Sequence, residues 1–201
     1  MLLDNRPEFV FLLGAAALSG AVVVGINPTR RGDELARDVR HTDCAVVLTD
    51  SAHAPLLAGL DLGAPVRLVD EPGWVADVER HRVAPIPASL PAPDALWALL
   101  FTSGSTGAPK AVRMSQGRAA HTVAPAAAAF GPADVLYCAM PLFHGNALLA
   151  CLLPGLAAGA TVVLKERFSA SEFLDDVRRH GCAYFNYVGR ALAYLLARPE
   201  E

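Results

Sequence analysis

Two uncharged, largely apolar runs of 18 residues, 9–26 and 147–164, constrain what this chain can fold into more than any other feature. A run of that length lies at the lower edge of what crosses a bilayer as a helix. Neither run is uniform, however. The first carries Gly14 and Gly20 and then turns into Val22-Val23-Val24 ahead of Asn27-Pro28, and the second carries Pro154-Gly155 and Gly159 ahead of Thr161-Val162-Val163. Glycine stops a helix, and β-branched residues favour extended backbone. Each run therefore reads as a buried helix, a glycine stop and a short buried strand. No basic segment precedes the first run, so a secretory leader is not expected. The expected location is the cytoplasm, with peripheral membrane association kept as an alternative.

The same alternation continues along the chain. Helices are expected over 7–19, 33–41, from Asp50 or Ser51 to about 60, 115–129 (with Pro125 as a kink) and 191–197. Ser169 and Glu172 have the spacing of a capping box for a helix that ends at Gly181. Strands are expected over 21–25, 45–49, 66–69, 95–101, 134–140 and 182–187, most of them apolar on both faces. That pattern predicts an α/β fold of mainly parallel sheets flanked by helices. Pro85, Pro87, Pro91 and Pro93 mark 83–94 as a connection between subdomains. With 53% apolar and 18% charged residues the chain can bury a core, which excludes disorder as its general state. A formal charge of -3 with no dominant basic patch argues against nucleic acid as a partner. Cys44, Cys138, Cys151 and Cys182 form no C-x-x-C pair and read as reduced thiols.

Chemistry concentrates in Thr102-Ser103-Gly104-Ser105-Thr106-Gly107-Ala108-Pro109-Lys110, directly after an apolar strand. Four hydroxyls, two glycines and a cation fall within nine residues. Glycine lets a backbone approach a ligand closely, hydroxyl and N–H groups then converge, and the lysine adds a full positive charge. This combination suits polyphosphate oxygens. It is not a Walker A loop, which ends in Gly-Lys-Ser/Thr, and Ser103 stands where a G-x-S-x-G elbow needs glycine.

The segment resembles the phosphate-binding loop of the adenylate-forming superfamily, Ser/Thr-Ser-Gly-Ser/Thr-Thr-Gly-x-Pro-Lys-Gly-Val, with Ala111 as its one departure. Residues 20–35 resemble the segment before that family's second helix. Pro141-Leu142-Phe143-His144 resembles the start of its acyl-pocket helix. Residues 187–196 are similar to a stretch of the very-long-chain, fatty-acid-transport-protein branch, with Arg190 in place of a glutamate. The resemblance implies the large N-terminal domain of an acyl-CoA synthetase over 1–201, incomplete and without its C-terminal lid. It implies a fatty acid, ATP and CoA as substrates and Mg²⁺ as a helper ion. Thr102, Ser103, Gly104, Ser105, Thr106, Gly107 and Lys110 would hold phosphate, and His144 with Gly145 would line the acyl pocket. The other histidines, His41, His53, His81, His121 and His180, read as solvent-facing.

The family's Mg²⁺ and adenine segment, its ribose aspartate and its C-terminal lysine have no counterpart here, so no complete catalytic set is expected. Both ends read as cut, and weak nucleotide binding without full ligase turnover is the expectation for this chain, with a partner chain as one source of the missing parts. A membrane- or lipid-associated protein built on the two apolar runs is one alternative. An amidase-like serine hydrolase is the other, although no lysine precedes Lys110 to serve it.

Overall fold

The computed structural model describes residues 1–102 and 110–197. It divides into two units, Met1–Arg118 and Ala119–Glu201. In the first unit the elements are α1 (Pro7–Ser19), β1 (Val23–Gly25), α2 (Gly32–His41), β2 (Val47–Thr49), a 3₁₀ turn (Ala54–Leu57), β3 (Val66–Leu68), α3 (Pro72–Arg80), β4 (Leu96–Thr102) and β5 (Lys110–Ser115). The division falls within the first turn of α4 (Gln116–Ala127). The second unit continues with β6 (Val135–Cys138), α5 (Gly145–Ala147), a π-helical turn (Leu148–Leu152), α6 (Leu153–Ala158), β7 (Thr161–Leu164), α7 (Phe173–His180), β8 (Tyr184–Phe185) and α8 (Gly189–Leu196).

The first unit holds one mixed sheet and one parallel pair. Strand β4 pairs in parallel with β1 and antiparallel with β5, and β2 pairs in parallel with β3. Leu2 makes a parallel bridge to Thr49, while the Ile26 N–H donates to the Met1 carbonyl at 2.9 Å. The opening residues therefore lie between β1 and β2. Leu2, Val24, Ile26, Leu35, Ala36, Val39 and Val47 form a buried apolar cluster around them. Helix α1 is tied to β4 by the buried Trp97 indole, which donates to the Leu13 carbonyl at 3.1 Å. In the second unit β6 is flanked by β7 and β8, both parallel, the arrangement expected of strands buried on two faces. Its Tyr137 is fully enclosed and meets Phe173 edge-on, with ring centroids 5.4 Å apart.

Both 18-residue runs fold as helix, glycine stop and strand. Gly20 ends α1 at φ 79° and Gly159 ends α6 at φ 70°, in the left-handed region where a side chain would cost about 1 kcal/mol. The second run has an added irregularity with an identifiable source. Pro154 has no N–H to give the carbonyl four residues earlier, Ala150, and its ring crowds that carbonyl. The helix widens into the π turn just there, and the Tyr184 hydroxyl donates to the Ala150 carbonyl at 2.8 Å in place of the lost bond. Among the described residues no helix is long and apolar enough to cross a membrane.

Several local expectations need correction. Asp50 does not cap an α-helix reaching 60. Its Oδ1 accepts the His53 N–H at 2.9 Å, and only a 3₁₀ turn follows. Ser51 turns instead to Asp70, which its hydroxyl meets at 2.5 Å. The capping box at 169–172 does not form. Ser169 bonds Ser171, and Glu172 is itself the N-cap residue and faces Lys165 at 3.3 Å. Helix α3 and strand β5 carry weak sequence signals, because Pro72-Gly73 suggests a turn and Lys110 and Arg113 interrupt the apolar pattern of β5. The proline-bearing segment 83–94 runs inside the first unit.

Two glycines in helical segments separate backbone preference from packing. A Cβ at Gly155 would lie 2.7 Å from Val162 Cγ2 and 3.2 Å from Leu136 Cδ2, whereas one at Gly14 meets nothing within 4 Å. Gly155→Ala should destabilise by about 1–3 kcal/mol, and Gly14→Ala should stabilise by about 0.5–1 kcal/mol. Urea denaturation of both variants checks the pair, and equal effects would contradict the packing described.

Candidate functional site

In the first unit the site begins with a register. The β4–β5 ladder pairs Phe101 with Ala111 and Thr102 with Lys110. Directly paired residues of an antiparallel ladder project to the same face with their Cα atoms about 4.5–5.5 Å apart. The Thr102 hydroxyl and the Lys110 ammonium therefore leave the same face of the hairpin, and both residues are exposed. The Thr102 hydroxyl lies 3.5 Å from the Lys110 carbonyl. Ser103, Gly104, Ser105, Thr106 and Gly107 lie outside the described residues, but the chain on either side of them is pinned by this pair.

The two lysines of the chain are used differently. Lys165 sits 2.7 Å from Asp176 and 3.3 Å from Glu172, so its charge is taken up within the protein. Its hydrogen bond, together with one from the Tyr137 hydroxyl at 3.1 Å, holds the Asp176 carboxyl below its ordinary range. Lys110 has no carboxylate partner among the described residues. A cation fixed at the end of a strand and left unneutralised is available to an anion from outside.

In the second unit β6 ends at Cys138, and the chain runs through Pro141-Leu142-Phe143 to His144 before α5 opens at Gly145. His144 occupies the N-cap position in extended backbone, yet its ring makes no capping bond. It lies against Phe143, with ring centroids 4.3 Å apart. The crowding strips water from one side of the ring and lowers its pKa from the ordinary histidine value. The imidazole is consequently neutral at pH 7 and can donate from one nitrogen and accept at the other. Beside it, two residues that no sequence pattern linked come together: Asn186, just past β8, donates from Nδ2 to Asn146 Oδ1 at 2.5 Å. Nothing in their spacing of forty residues signals the contact.

One histidine departs from the solvent-facing expectation. His53 has a side chain 12% exposed, with Nδ1 2.7 Å from Asp50 and Nε2 3.6 Å from Asp4. Asp50 also receives Arg6 at 2.8 Å, and these hydrogen bonds keep its carboxyl below the usual range in spite of burial. This network fastens the opening segment to the end of β2. Among the described residues no group of three or more His, Cys, Asp and Glu side chains could hold a metal ion. All four cysteines are free. A separate cavity of about 460 Å³ is lined mostly by apolar residues, Leu12, Ala16, Val22, Val24, Cys44 and Val46 among them, with Ser19, Thr42 and Asp43 also on its wall.

The family model described as AMP-binding enzyme matches residues 1–201. The chain is 55% identical over 208 residues to the steroid-22-oyl-CoA synthetase of Rhodococcus jostii, covering 100% of this chain and 37% of that protein. It is 44% identical over 203 residues to the medium/long-chain-fatty-acid–CoA ligase FadD17 of Mycobacterium marinum, covering 100% of this chain and 40% of that one. The inhibitor-bound N-terminal domain of FACL13 from Mycobacterium tuberculosis has the same fold, with a TM-score of 0.84 at 25% identity over 99% of this chain and 51% of that chain. The chain thus spans well under half the length of the curated relatives it matches.

The lowered pKa of His144 has a consequence with a definite sign. Below about pH 6.5 the unfolded chain binds a proton at this position that the folded chain resists. Stability should therefore fall as pH drops through that window, and His144→Gln should reduce the slope. In a ¹H–¹⁵N titration the His144 imidazole should have its midpoint below the ordinary histidine value, and a midpoint at or above that value contradicts the geometry.

Proposed function

Because the chain belongs to the AMP-binding enzyme family over residues 1–201, we propose that it supplies the phosphate-holding and acid-binding elements of an ATP-dependent acyl-CoA ligase. The observation that carries this reading is the pairing of Thr102 with Lys110, which has no carboxylate partner among the described residues, at the two ends of a glycine- and hydroxyl-rich segment. Lys110 draws the β- and γ-phosphates of ATP by charge, and the hydroxyls of Thr102, Ser103, Ser105 and Thr106 donate to the same oxygens. Gly104 and Gly107 supply the room a phosphate needs beside a backbone.

The acid is a hydrophobic carboxylate, in keeping with relatives named for steroid-22-oyl and medium/long-chain fatty acyl groups. One of its carboxylate oxygens bonds to the α-phosphorus as the bond to pyrophosphate breaks, and pyrophosphate leaves with the electron pair. The acyl-adenylate then gives its acyl group to the CoA thiol, releasing AMP and the thiol proton. In such a displacement the protein contributes positioning and charge stabilisation. His144 and Gly145 meet the acid, and the neutral imidazole offers a hydrogen bond without a competing counter-ion. Mg²⁺ bound with ATP would neutralise phosphate charge in such a reaction. Among the described residues no group of three or more His, Cys, Asp and Glu side chains would hold the ion.

Isothermal titration with ATP tests the reading. Lys110→Ala should weaken binding about tenfold or more, whereas Arg80→Ala, which removes an equal charge from exposed α3, should leave it unchanged. Equal losses for both variants would reduce the interaction to general charge attraction and overturn the assignment.

A further inference from the structure

We infer that Asn186 sets the acid preference of this protein by accepting a hydrogen bond from a hydroxyl group carried on the acid, an inference that rests on the reading of residues 144–146 as an acid-binding element. The observation is a buried carboxamide with one arm engaged and the other not. Asn186 is only 7% exposed. Its Nδ2 donates to Asn146 Oδ1 at 2.5 Å, which fastens the end of β8 to the first turn of the helix after His144. Its Oδ1 is enclosed and has no hydrogen-bond partner among the described residues. Buried polar atoms in native proteins are nearly always partnered, and an exception marks a place where a donor is due to arrive.

The position in the fold favours a ligand as that donor. Asn186 follows the carboxyl end of β8 and His144 follows the carboxyl end of β6, and these two strands are parallel neighbours. The crevice beyond the carboxyl ends of parallel strands is where open α/β sheets take their ligands. The group that meets Asn186 Oδ1 is selected by elementary chemistry. A carboxylate has only lone pairs and negative charge to offer an acceptor, and it is repelled. An unsubstituted hydrocarbon chain leaves the oxygen buried and unpaired. A hydroxyl donates to it. Sites built around a buried hydrogen-bonding group discriminate strongly against an analogue that lacks the matching group. Asn186 therefore favours a hydroxylated acid over the plain acid of the same length.

The test is isothermal titration of the 201-residue chain with decanoic acid and with its β-hydroxy and terminal-hydroxy derivatives. At least one hydroxy acid should bind about tenfold more tightly than decanoic acid. Asn186→Leu should abolish the preference, so that the hydroxy acids bind no more tightly than decanoic acid to that variant. The unaltered chain provides a second readout: the Asn186 side-chain amide resonances should shift with the preferred hydroxy acid and stay in place with decanoic acid. Equal affinity for all three acids, a preference that survives Asn186→Leu, or unmoved Asn186 resonances would each overturn the inference and leave the ligase reading standing. If none of the acids binds, the acid-binding reading of residues 144–146 falls, and the inference falls with it.

Discussion

Strand β4 is hydrogen-bonded on both sides, to β1 in parallel and to β5 in antiparallel sense. That second pairing is the constraint on which the proposed site rests. A parallel neighbour would have to be reached by a long crossover, whereas an antiparallel one can follow after a short connection. The short segment rich in glycine and hydroxyl groups is thereby held between two fixed points, Thr102 and Lys110, whose side chains share a face. A one-residue slip in this ladder would send the lysine to the opposite face. Trp97, Ala98, Leu100 and Met114 are buried within the two strands, so the apolar core fixes the register and the register places the charge.

Two buried carboxylates show how the fold holds charge inside. Asp50 is enclosed but receives Arg6 and His53, and Asp176 is enclosed but receives Lys165 and Tyr137. These two buried carboxylates thus have donors that keep them ionised. Asp38 is less well served. Arg30 approaches it at 3.5 Å, its Oδ1 has no hydrogen-bond partner among the described residues, and burial raises its pKa. Lys110 differs from Lys165 in having no carboxylate partner among the described residues, and it is exposed at a strand end where an external anion can reach it.

Much of the architecture was legible in the sequence, for reasons that can be traced to particular residues. Gly20 and Gly159 could be read as helix stops because the β-branched stretches after them cannot continue a helix comfortably. The ends of α1 were legible from Pro7 and Gly20. Strand β5 was not, because Lys110 and Arg113 interrupt its apolar pattern and its partner, β4, supplies the burial. The π turn was announced only as a proline in a helical run. Its form depends on Tyr184, thirty-four residues away, reaching the Ala150 carbonyl. The same holds for the site. Lys110 and the glycines stand out in one dimension because phosphate binding draws on contiguous residues. Asn146 and Asn186 do not, since only the parallel packing of β6 and β8 makes them neighbours. The burial of His53 was equally hidden, for it depends on Asp4 and Asp50 converging from distant parts of the chain.

A crystal structure of the protein bound to a non-hydrolysable ATP analogue tests the central claim most directly. The account predicts terminal phosphates within hydrogen-bond reach of the Lys110 ammonium, on the hairpin face shared with Thr102. Phosphates seated elsewhere, with Lys110 in contact with none of them, would contradict it.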